Sequence, residues 1–517
     1  MHLLIIHYHW RPGGVRQVVE TTLAQLAQDP AMDLRGVVLA SGEPPPAAWA
    51  QHVQSMVGPS LPLKWVSDRW LSYTASWPGP PAQSRAATTS VIAQLLGGLP
   101  LPRAVLVENP AVGRHPTLGR AAAEACAATG TRLVCRHHDF FFDGRWERWP
   151  DMIACGLSSV EEAIDHAIPP GDEVDHVAVS ARDAAWLSAI RRVSFVPNPA
   201  APPPGVSADE VASARNWLES AAGVDRHQPI WLCPTRVLRR KNLVEAVLLA
   251  RLVNPQIPVL VTGTVSSPEE SFYGEVLARL GDASISALKL GILATSPAGS
   301  FHPPRMPVVM AAADRLVVTS LFEGFGLPAA EASALERPML ARRAACPDGH
   351  APAGVDAYDE LQLPWDLVGE DSERARQAAA WRQHRSRLPP DWAIHLAEPP
   401  WWEYGHSVAF SRLTLAGQIH AWTACLDPHQ AATVRAHNPW LANLGARARF
   451  HGHAADLSPP TDGLPPVPLA AILAGCRSAP VTRSYRETSL SPAMLRSRLP
   501  WANYYPLLWP GGAGVAP

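Results

Sequence analysis

The feature that most constrains the fold is an alternation of short apolar segments with longer segments of helical periodicity, which occurs twice along the chain. LLIIHY (3–8) is typical of a buried strand, and the VRQVVETTLAQLAQ that follows it has apolar residues at helical spacing. This alternation predicts an α/β fold, with helices on both faces of a mostly parallel sheet and ligands at the carboxyl ends of the strands. Further predicted strands are GVVLA (36–40), AVLVEN (104–109), TRLVCRH (131–137), PIWLCPTR (229–236), IPVLVTG (257–263) and DRLVVTS (314–320).

The proline cluster VPNPAAPPPGVS (196–207) separates the two series of alternating segments. At 517 residues the chain is too long for one ordinary core. We therefore predict two Rossmann-like, doubly wound lobes, residues 1–203 and 204–365, that face each other across a cleft. Residues 366–517 are predicted to form a mainly helical carboxyl-terminal extension, with a proline-rich connector near 457–469.

Composition argues against several classes of partner. The 46 acidic residues nearly balance the 44 Lys and Arg residues, so no nucleic acid is expected as a partner. The seven cysteines are scattered without a C-x-x-C pair, which argues against zinc or redox sites and favours a reducing cytoplasm. We find no signal-peptide core and no apolar run of about 18 residues that could cross a bilayer. A cytoplasmic location is expected, and peripheral membrane contact remains an open alternative.

The segment LFEGFGLPAAEA (321–332) places two carboxylates on either side of a glycine-rich turn. Gly324 and Gly326 let the backbone approach a ligand, and Pro328 suits the first position of a helix. The free amides of such a helix start favour phosphate or sugar oxygens. Glu323 stands just before the predicted helix and Glu331 about one turn inside it. Taken alone, the pattern also fits a solvated turn followed by an amphipathic helix.

The longer stretch VVMAAADRLVVTSLFEGFGLPAAEASALERPML resembles the E-x7-E signature of the family 4 glycosyltransferases, retaining enzymes with the two-lobed GT-B fold. The resemblance implies that Glu323 contacts the donor sugar and that Glu331 holds the nucleotide ribose. It also implies a donor-binding turn close to the sugar and diphosphate, formed by Gly324, Phe325, Gly326 and Leu327.

A second motif, PTRVLRRKNLVEA, delivers cations to the end of a predicted strand. Departure of a nucleoside diphosphate develops negative charge, which fixed cations stabilise. By the same resemblance Arg236 and Lys241, one of three lysines in the chain, have the diphosphate role. Asn242 is expected to cap the next helix in a capping-box-like pair with Glu245. The intervening arginines are expected to be solvated: Arg239 and Arg240.

The first turn, HYHWRPGGVRQVVE, places Gly13 and Gly14 between a strand and a helix, where their amides can approach the donor diphosphate. The stretch lacks G-x-G-x-x-G, which argues against a dinucleotide-binding dehydrogenase. His7 and His9 form an H-x-H pattern without a third metal ligand nearby, so a structural or substrate-facing role is favoured over metal binding.

The segment CRHHDFFFDGRWERWPD follows a predicted strand. His138 and Asp139 match a His-Asp pair of the family, whose His reaches the donor sugar and the acceptor side; His137 is the alternative inward residue. Asn109 belongs to a loop on the acceptor side, where Glu108 replaces the family's frequent His. The aromatic residues favour core packing over stacking on an acceptor sugar: Phe140, Phe141, Phe142, Trp146 and Trp149.

The chain contains no D-x-D, the usual divalent-metal clamp for a nucleotide sugar, so we expect metal independence and no cofactor. The combined motifs predict a retaining hexosyltransferase that moves a hexose from a nucleotide-diphosphate sugar to an unknown hydroxyl acceptor. Arg236, Lys241, Glu323 and His138 are the candidate catalytic residues. Two alternatives remain, a non-catalytic glycosyltransferase-like binding subunit and a GT-B epimerase that acts on a nucleotide sugar.

Overall fold

The computed structural model describes residues 1–143, 148–199, 205–265, 270–283, 288–294, 303–324, 326–346, 351–352, 354–386, 388–394, 405–445 and 466–475. These residues form two compact units. The described residues of the first unit lie within Met1–Ala201, Leu388–His395 and Pro459–Leu499, and those of the second lie within Pro202–Arg387 and Leu396–Ser458.

The first unit contains a seven-stranded sheet whose strands are all parallel. The strand order is β3-β2-β1-β4-β5-β6-β7. The strands are β1 (His2–Ile6), β2 (Gly36–Ser41), β3 (Leu63–Ser67), β4 (Arg103–Glu108), β5 (Arg132–His137), β6 (Val174–Ala178) and β7 (Val193–Phe195).

The second unit contains a six-stranded parallel sheet in the order β10-β9-β8-β11-β12-β13, and a separate antiparallel pair, β14 and β15. The strands are β8 (Trp231–Cys233), β9 (Val259–Val261), β10 (Leu288–Lys289), β11 (Arg315–Val318), β12 (Met339–Arg342), β13 (Val355–Tyr358), β14 (Gln362–Pro364) and β15 (Ser407–Ala409).

The order of each parallel sheet reverses direction once. The reversal lies between β1 and β4 in the first unit and between β8 and β11 in the second. In doubly wound sheets, ligands bind outside the carboxyl ends of the strands at this switch point. The two sheets confirm the predicted fold class of two Rossmann-like, doubly wound lobes, and they direct attention to the loops that follow β1, β4, β8 and β11.

Helices connect the strands and cover the sheets. Several of them begin at a residue whose side chain accepts an amide hydrogen bond; α8, for example, has a full capping box between Ser207 and Glu210. The helices are α1 (Gly14–Gln28), α2 (Ala47–Val57), α3 (Ser84–Gly97), α4 (Leu118–Ala128), α5 (Trp149–Ala154), α6 (Val160–Ala167), α7 (Ala181–Leu187), α8 (Ala208–Ala222), α9 (Leu243–Val253), α10 (Ser271–Ala283), α11 (Met306–Ala312), α12 (Leu327–Ala334), α13 (Trp365–Val368), α14 (Glu370–Ser386), α15 (Pro390–Ala393), α16 (Leu415–Ala424), α17 (Pro428–His437) and α18 (Leu469–Gly475).

Both faces of the first sheet are buried, which explains the continuous apolar run in β1. Leu3 and Ile5 belong to one hydrophobic cluster, and Leu4 and Ile6 belong to another. Successive side chains of a strand point to opposite faces, so each cluster occupies one face of the sheet. The apolar run therefore fixes the sheet between two layers and leaves the strand ends for polar residues.

The helices after residue 365 do not share one location. Phe410, Trp422 and Val434 are buried in the main core of the second unit. Residues 466–475 belong instead to the first unit, where the amide of Val467 donates to the carbonyl of Phe195 over 2.8 Å and Leu473 is buried. The domain limits at 203 and 365 stay predictions. Most of the predicted proline-rich connector and the whole tail from 476 lie outside the described residues.

Within the described part of the chain, none of the helices combines the length and the apolar character that crossing a membrane would require.

Candidate functional site

The second unit brings Lys241 and Glu323 together at its switch point. The loop after β8 carries Arg240 and Lys241, and the loop after β11, the neighbouring strand, carries Glu323. Lys241 Nζ forms an ion pair with Glu323 Oε1, and Arg240 Nη1 lies 3.2 Å from Glu323 Oε2. Two residues predicted from different motifs, Lys241 and Glu323, are thus direct partners, and Arg240 joins them.

Hydrogen bonds between the two loops hold this ion-pair cluster. Thr319 Oγ1 donates to the carbonyl oxygens of Lys241 and Asn242 over 2.9 and 3.0 Å, and the amide of Leu321 donates to the carbonyl of Arg240 over 2.8 Å. Thr319 is buried, so these bonds are protected from competing water. The loops therefore present their cations on a fixed backbone.

The side chain of Asn242, the residue after Lys241, makes hydrogen bonds that differ in part from those of the predicted helix cap. It has a left-handed backbone (φ 51°), its amide nitrogen donates to the Glu245 carboxylate, and its side-chain oxygen accepts from Gln418 Nε2 over 2.9 Å. The amide of Leu243 donates instead to the hydroxyl of Tyr273 over 2.8 Å. Asn242 is thus the N-cap residue of α9 and pairs with Glu245, as predicted, but the pair joins the two side chains, and the Asn242 side chain accepts no backbone amide of α9 as a capping box would require.

The charge balance of the cluster favours an anion. Burial opposes the ionisation of Glu323, but Lys241 and Arg240 outweigh it and lower the pKa of this carboxyl to about 2. The side chain of Glu323 is only 10% exposed. Two cations and one carboxylate leave a net charge of +1. The prediction that Arg240 is solvated is wrong because it contacts Glu323, and Arg239 is buried as well.

The turn before α12 contains a glycine with left-handed backbone, and the helix begins one residue before the predicted Pro328. Gly326 has a φ of 81°, which favours glycine, and it precedes Leu327, the first residue of α12. Pro328 is the second residue of this helix, and Glu331 lies one turn inside and is half-buried. Gly324 is half-buried in the same turn, and Phe325 lies outside the described residues.

A small pocket lies at these strand ends. Its wall combines the end of β11, the loop after β8 and the start of α12. The lining residues are Pro234, Thr235, Lys241, Leu243, Val317, Val318, Thr319, Ser320 and Pro328. The Lys241 ammonium therefore borders a concave surface next to the amino terminus of a helix.

Arg236 lies on the same loop but is exposed. The loop approaches Gly263 so closely that a Cβ there would lie 2.9 Å from the Cα of Arg236. The amide of Gly263 also donates to the carbonyl of Thr235 over 2.9 Å. Gly263 is thus needed to place this segment, and the diphosphate role of Arg236 stays a prediction.

In the first unit, Gly13 and Gly14 lie exposed at the start of α1. Gly13 has extended backbone (φ 165°), and a Cβ there would meet nothing within 4 Å. Neither backbone strain nor crowding within the described protein requires glycine at this position. The open space is compatible with close approach of a ligand to the first amides of α1.

The strand ends of the first unit carry a second buried polar cluster. Glu108, the last residue of β4, is paired with Arg136 on β5, and His138 Nε2 lies 3.0 Å from Glu108 Oε2. Asn109 Oδ1 accepts hydrogen bonds from the amides of His138 and Asp139 over 3.2 and 3.1 Å. The structure thus brings His138, Asp139 and Asn109 together around the carboxylate of Glu108. From the sequence, Glu108 is identified only as a residue that replaces the family's frequent His.

Other predicted residues have packing positions. His137 is fully buried, with Nε2 lying 2.9 Å from His176 Nδ1 and its ring stacked on Phe140. His9 Nε2 lies 2.9 Å from the hydroxyl of Tyr73. The core prediction is confirmed for Phe140, Phe141 and Phe142, which are buried, whereas Trp146 lies outside the described residues.

Among the described residues, no group of three His, Cys, Asp or Glu side chains is arranged to hold a metal ion. Metal independence stays a prediction.

Sequence reasoning missed Arg240 and the pair formed by Glu108 and Arg136. A signal for the pair was present, because Arg136 follows the apolar residues 133–135 within one strand and Glu108 ends the preceding one. The two residues are directly opposite each other in the register of β4 and β5. No local pattern marks Arg240, since its partner is 83 residues away in the sequence.

The low pKa of Glu323 predicts a specific dependence of stability on pH. The pKa is about 2 in the folded protein against an ordinary value of 4.5, so the ion-pair contribution is complete above pH 4.5 and is lost as the pH falls towards 2. Chemical denaturation should show a difference in unfolding free energy between the natural protein and Glu323→Gln that is constant from about pH 5 to 8 and shrinks below pH 4.5.

The matched control for this pH series is Glu210→Gln, which removes an exposed carboxylate paired with Arg305 at 2.8 Å and can keep the capping box of α8. Its difference from the natural protein should be small throughout. A Glu323→Gln difference that grows towards low pH would contradict the proposed charge state.

Comparison with known proteins gives a partial sequence match. No family model matches the chain. Over 241 residues it is 25% identical to the mannosylglucosyl-3-phosphoglycerate synthase of Petrotoga mobilis, and the aligned region covers 46% of this chain and 45% of that protein. The chain thus spans less than half the length of this curated relative. Membership of glycosyltransferase family 4 stays a prediction.

Solved structures that resemble this chain include HepE from Anabaena in complex with UDP and glucose. HepE is 14% identical in sequence, the TM-score is 0.47, and the match covers 86% of this chain and 99% of that chain. Sucrose-phosphate synthase from Thermosynechococcus elongatus has 17% identity, a TM-score of 0.45 and coverage of 66% and 81%. An α,α-trehalose-phosphate synthase from Burkholderia xenovorans, in complex with glucose-6-phosphate, has 12% identity, a TM-score of 0.42 and coverage of 66% and 85%.

Proposed function

We propose that this protein is a retaining hexosyltransferase that moves a hexose from a nucleotide-diphosphate sugar to an acceptor hydroxyl without a metal ion. The donor-binding residues of this proposal lie in the second unit, and the residues assigned to the acceptor lie in the first unit. The partial match to a glycosyl-3-phosphoglycerate synthase supports the class of reaction. The resemblance to family 4 supports retention of the anomeric configuration. A cytoplasmic location remains part of the proposal.

The observation that carries the proposal is the cluster of Lys241, Arg240 and Glu323 at the switch point of the second sheet. A sugar nucleotide presents a diphosphate next to hydroxyl groups, so its site needs cations beside a hydrogen-bond acceptor. Lys241 and Arg240 supply the cations, and Glu323 accepts hydrogen bonds from sugar hydroxyls. The nearby start of α12 adds backbone amides.

The reaction exchanges one bond of the sugar carbon for another. The bond from the anomeric carbon to the diphosphate oxygen breaks, and the bond to the acceptor oxygen forms on the same face of the sugar. The acceptor proton passes to the departing phosphate oxygen, so no enzymatic nucleophile is required. Lys241, Arg240 and Arg236 stabilise the charge that develops on the diphosphate. Glu331 holds the ribose, and Gly324, Gly326 and Leu327 contact the donor.

In the first unit, the residues proposed to bind sugar or acceptor hydroxyls are His138, Asp139 and Asn109. Gly13 and Gly14 approach the diphosphate through the first amides of α1, where the open space beside Gly13 accommodates a ligand. The acceptor itself is an alcohol of unassigned identity. The acceptors to be tested include 3-phosphoglycerate derivatives because the Petrotoga mobilis relative is named a mannosylglucosyl-3-phosphoglycerate synthase.

The test is a donor panel of UDP-, GDP- and ADP-hexoses incubated with candidate acceptors in the presence of EDTA. We expect one donor to yield nucleoside diphosphate and a glycoside, and NMR spectroscopy should show the donor's anomeric configuration in the product. A product with the opposite anomeric configuration would reject retention. Activity that EDTA abolishes would reject metal independence. An epimerised sugar nucleotide would establish the epimerase alternative. Tight donor binding without any conversion would establish the binding subunit.

A further inference from the structure

Glu108 is the residue around which the polar groups of the first unit's strand ends are arranged. It is fully buried, and Arg136 Nε lies 3.1 and 2.9 Å from its two carboxylate oxygens, with a further contact from Arg136 Nη2. Arg136 Nη1 also donates to Thr22 Oγ1 of α1 over 3.1 Å. Burial opposes ionisation, but Arg136 and His138 lower the pKa of Glu108 to about 2. The carboxylate is therefore a fixed hydrogen-bond acceptor.

Two histidines contact this one residue through different atoms. His138 Nε2 lies 3.0 Å from the Glu108 carboxylate, and His7 Nδ1 lies 3.1 Å from the Glu108 carbonyl oxygen. A carboxylate and a carbonyl can only accept, so each of these ring nitrogens carries a hydrogen. In a neutral imidazole the other nitrogen then holds a lone pair, which is Nδ1 in His138 and Nε2 in His7.

His7 is held in the neutral state by its surroundings. Burial, reinforced by the neighbouring His9, lowers the pKa of His7 to about 3. Its Nε2 is consequently an acceptor at neutral pH. His7 and His138 are both buried, with 5% and 7% of their residue surface exposed, respectively. His7 directly follows β1 and His138 directly follows β5, and β4, which ends at Glu108, lies between these two strands.

We propose that Glu108 is a positioning residue that fixes the tautomers of His7 and His138, so that the first unit offers hydroxyl groups two proton-accepting ring nitrogens. The matching ligand is an uncharged polyhydroxyl group, such as the hydroxyls of a sugar, because a phosphate oxygen would meet lone pairs rather than donors. The tautomer of His138 depends on the Glu108 carboxylate and that of His7 on the Glu108 backbone carbonyl, whereas the hydroxyl ligand rests on the proposed function.

The tautomers are tested by Glu108→Gln. Arg136 has only donors, so the glutamine oxygen should face Arg136 and the glutamine NH2 should face His138 Nε2. His138 should then move its hydrogen from Nε2 to Nδ1. The measurement is a two-bond proton–nitrogen NMR correlation on protein labelled with 15N-histidine, with the His138 signals assigned by their loss in His138→Asn. Glu124→Gln is the matched control, since it removes a partly exposed carboxylate paired with Arg120 at 3.2 Å.

We expect the Nε2–H form of His138 in the natural protein and in Glu124→Gln, and the Nδ1–H form in Glu108→Gln. An Nδ1–H form in the natural protein would overturn the proposal, and so would an unchanged tautomer in folded Glu108→Gln. The natural-protein spectrum alone decides the matter if Glu108→Gln does not fold.

The hydroxyl ligand has a separate readout. In His138→Phe, which removes both ring nitrogens whatever the tautomer, the KM for the sugar-bearing substrate should rise about tenfold, as expected for the loss of one uncharged hydrogen bond. An unchanged KM in folded His138→Phe would reject hydroxyl binding at His138. If the natural protein transfers sugar from none of the donors, the proposed function is rejected. The NMR experiment still tests the tautomers independently.

Discussion

Replacing Lys241 with alanine is expected to lower the rate of nucleoside diphosphate release by about a hundredfold or more. Lys241 lines the pocket at the end of β11 and forms an ion pair with Glu323. A unit charge about 4 Å from a departing diphosphate contributes roughly 4 kcal/mol at an effective dielectric of 20. The variant also leaves Glu323 with Arg240 as its remaining cation in the cluster, which removes the net positive charge. The measurement is release of nucleoside diphosphate from the donor that the natural protein turns over.

The control is Arg343→Ala, which removes an exposed cation of the same unit that is paired with Asp359 at 2.7 Å. Its rate should match that of the natural protein. Circular dichroism and the denaturation midpoint establish that both variants are folded. A folded Lys241→Ala that retains more than about a third of the natural rate would contradict the assignment of Lys241 to the diphosphate.

Replacing Arg136 with methionine is expected to lower the free energy of unfolding by about 3–5 kcal/mol, the usual cost of leaving a buried charge without its partner. Glu108 and Arg136 are 0% and 1% exposed in their side chains, so water cannot replace the lost guanidinium. His138 would remain as a single hydrogen-bond partner of the carboxylate. Guanidinium denaturation, followed by a signal from the first unit, measures the change.

Arg120→Met is the matched control, because it removes a partly exposed arginine that is paired with Glu124 at 3.2 Å in the same unit. It should change the unfolding free energy by less than about 1 kcal/mol. Equal effects of the two substitutions would mean that the buried pair contributes no more than a surface pair, which would remove the basis for treating Glu108 as a fixed charge.

The order of strands and helices was predictable because it depends on local patterns. The apolar run LLIIHY predicted β1, GVVLA predicted β2 and DRLVVTS predicted β11, within a few residues at each end. Periodicity reports which faces of an element are buried, and a sheet covered on both sides requires continuous apolar runs. The positive φ of Gly326 was likewise foreseeable, since the turn before α12 favours glycine.

The partners within the site were less predictable because they join distant segments. Arg240 was expected to be solvated, yet it contacts Glu323 after β11 folds beside β8. Asn242 is the N-cap residue of α9, as expected, yet its side-chain oxygen accepts from Gln418 of α16 rather than from an amide of the helix. Local capping rules apply when water is the competing partner, whereas here a tertiary hydrogen bond and a left-handed backbone decide the side-chain position.

Glu108 shows a third limit of sequence reasoning. Comparison with the glycosyltransferase family identified Glu108 only as a residue in place of a frequent histidine. Its significance follows from the register of β4 and β5, which places it opposite Arg136. Register between parallel strands depends on the whole sheet rather than on either strand, so the pair could be suspected but not assigned. The structure also adds His7, which contacts the same residue through the Glu108 carbonyl.

The central claim is that the strand ends of the second unit bind the diphosphate of a sugar nucleotide through Lys241. Calorimetric titration of UDP, GDP and ADP in the presence of EDTA tests it most directly, because binding of a nucleoside diphosphate needs no acceptor. We predict that one of them binds the natural protein and Arg343→Ala equally, and Lys241→Ala at least about tenfold more weakly, as expected for a lost hydrogen bond to a charged group. Failure of all three to bind, or equal binding to Lys241→Ala, would contradict the claim.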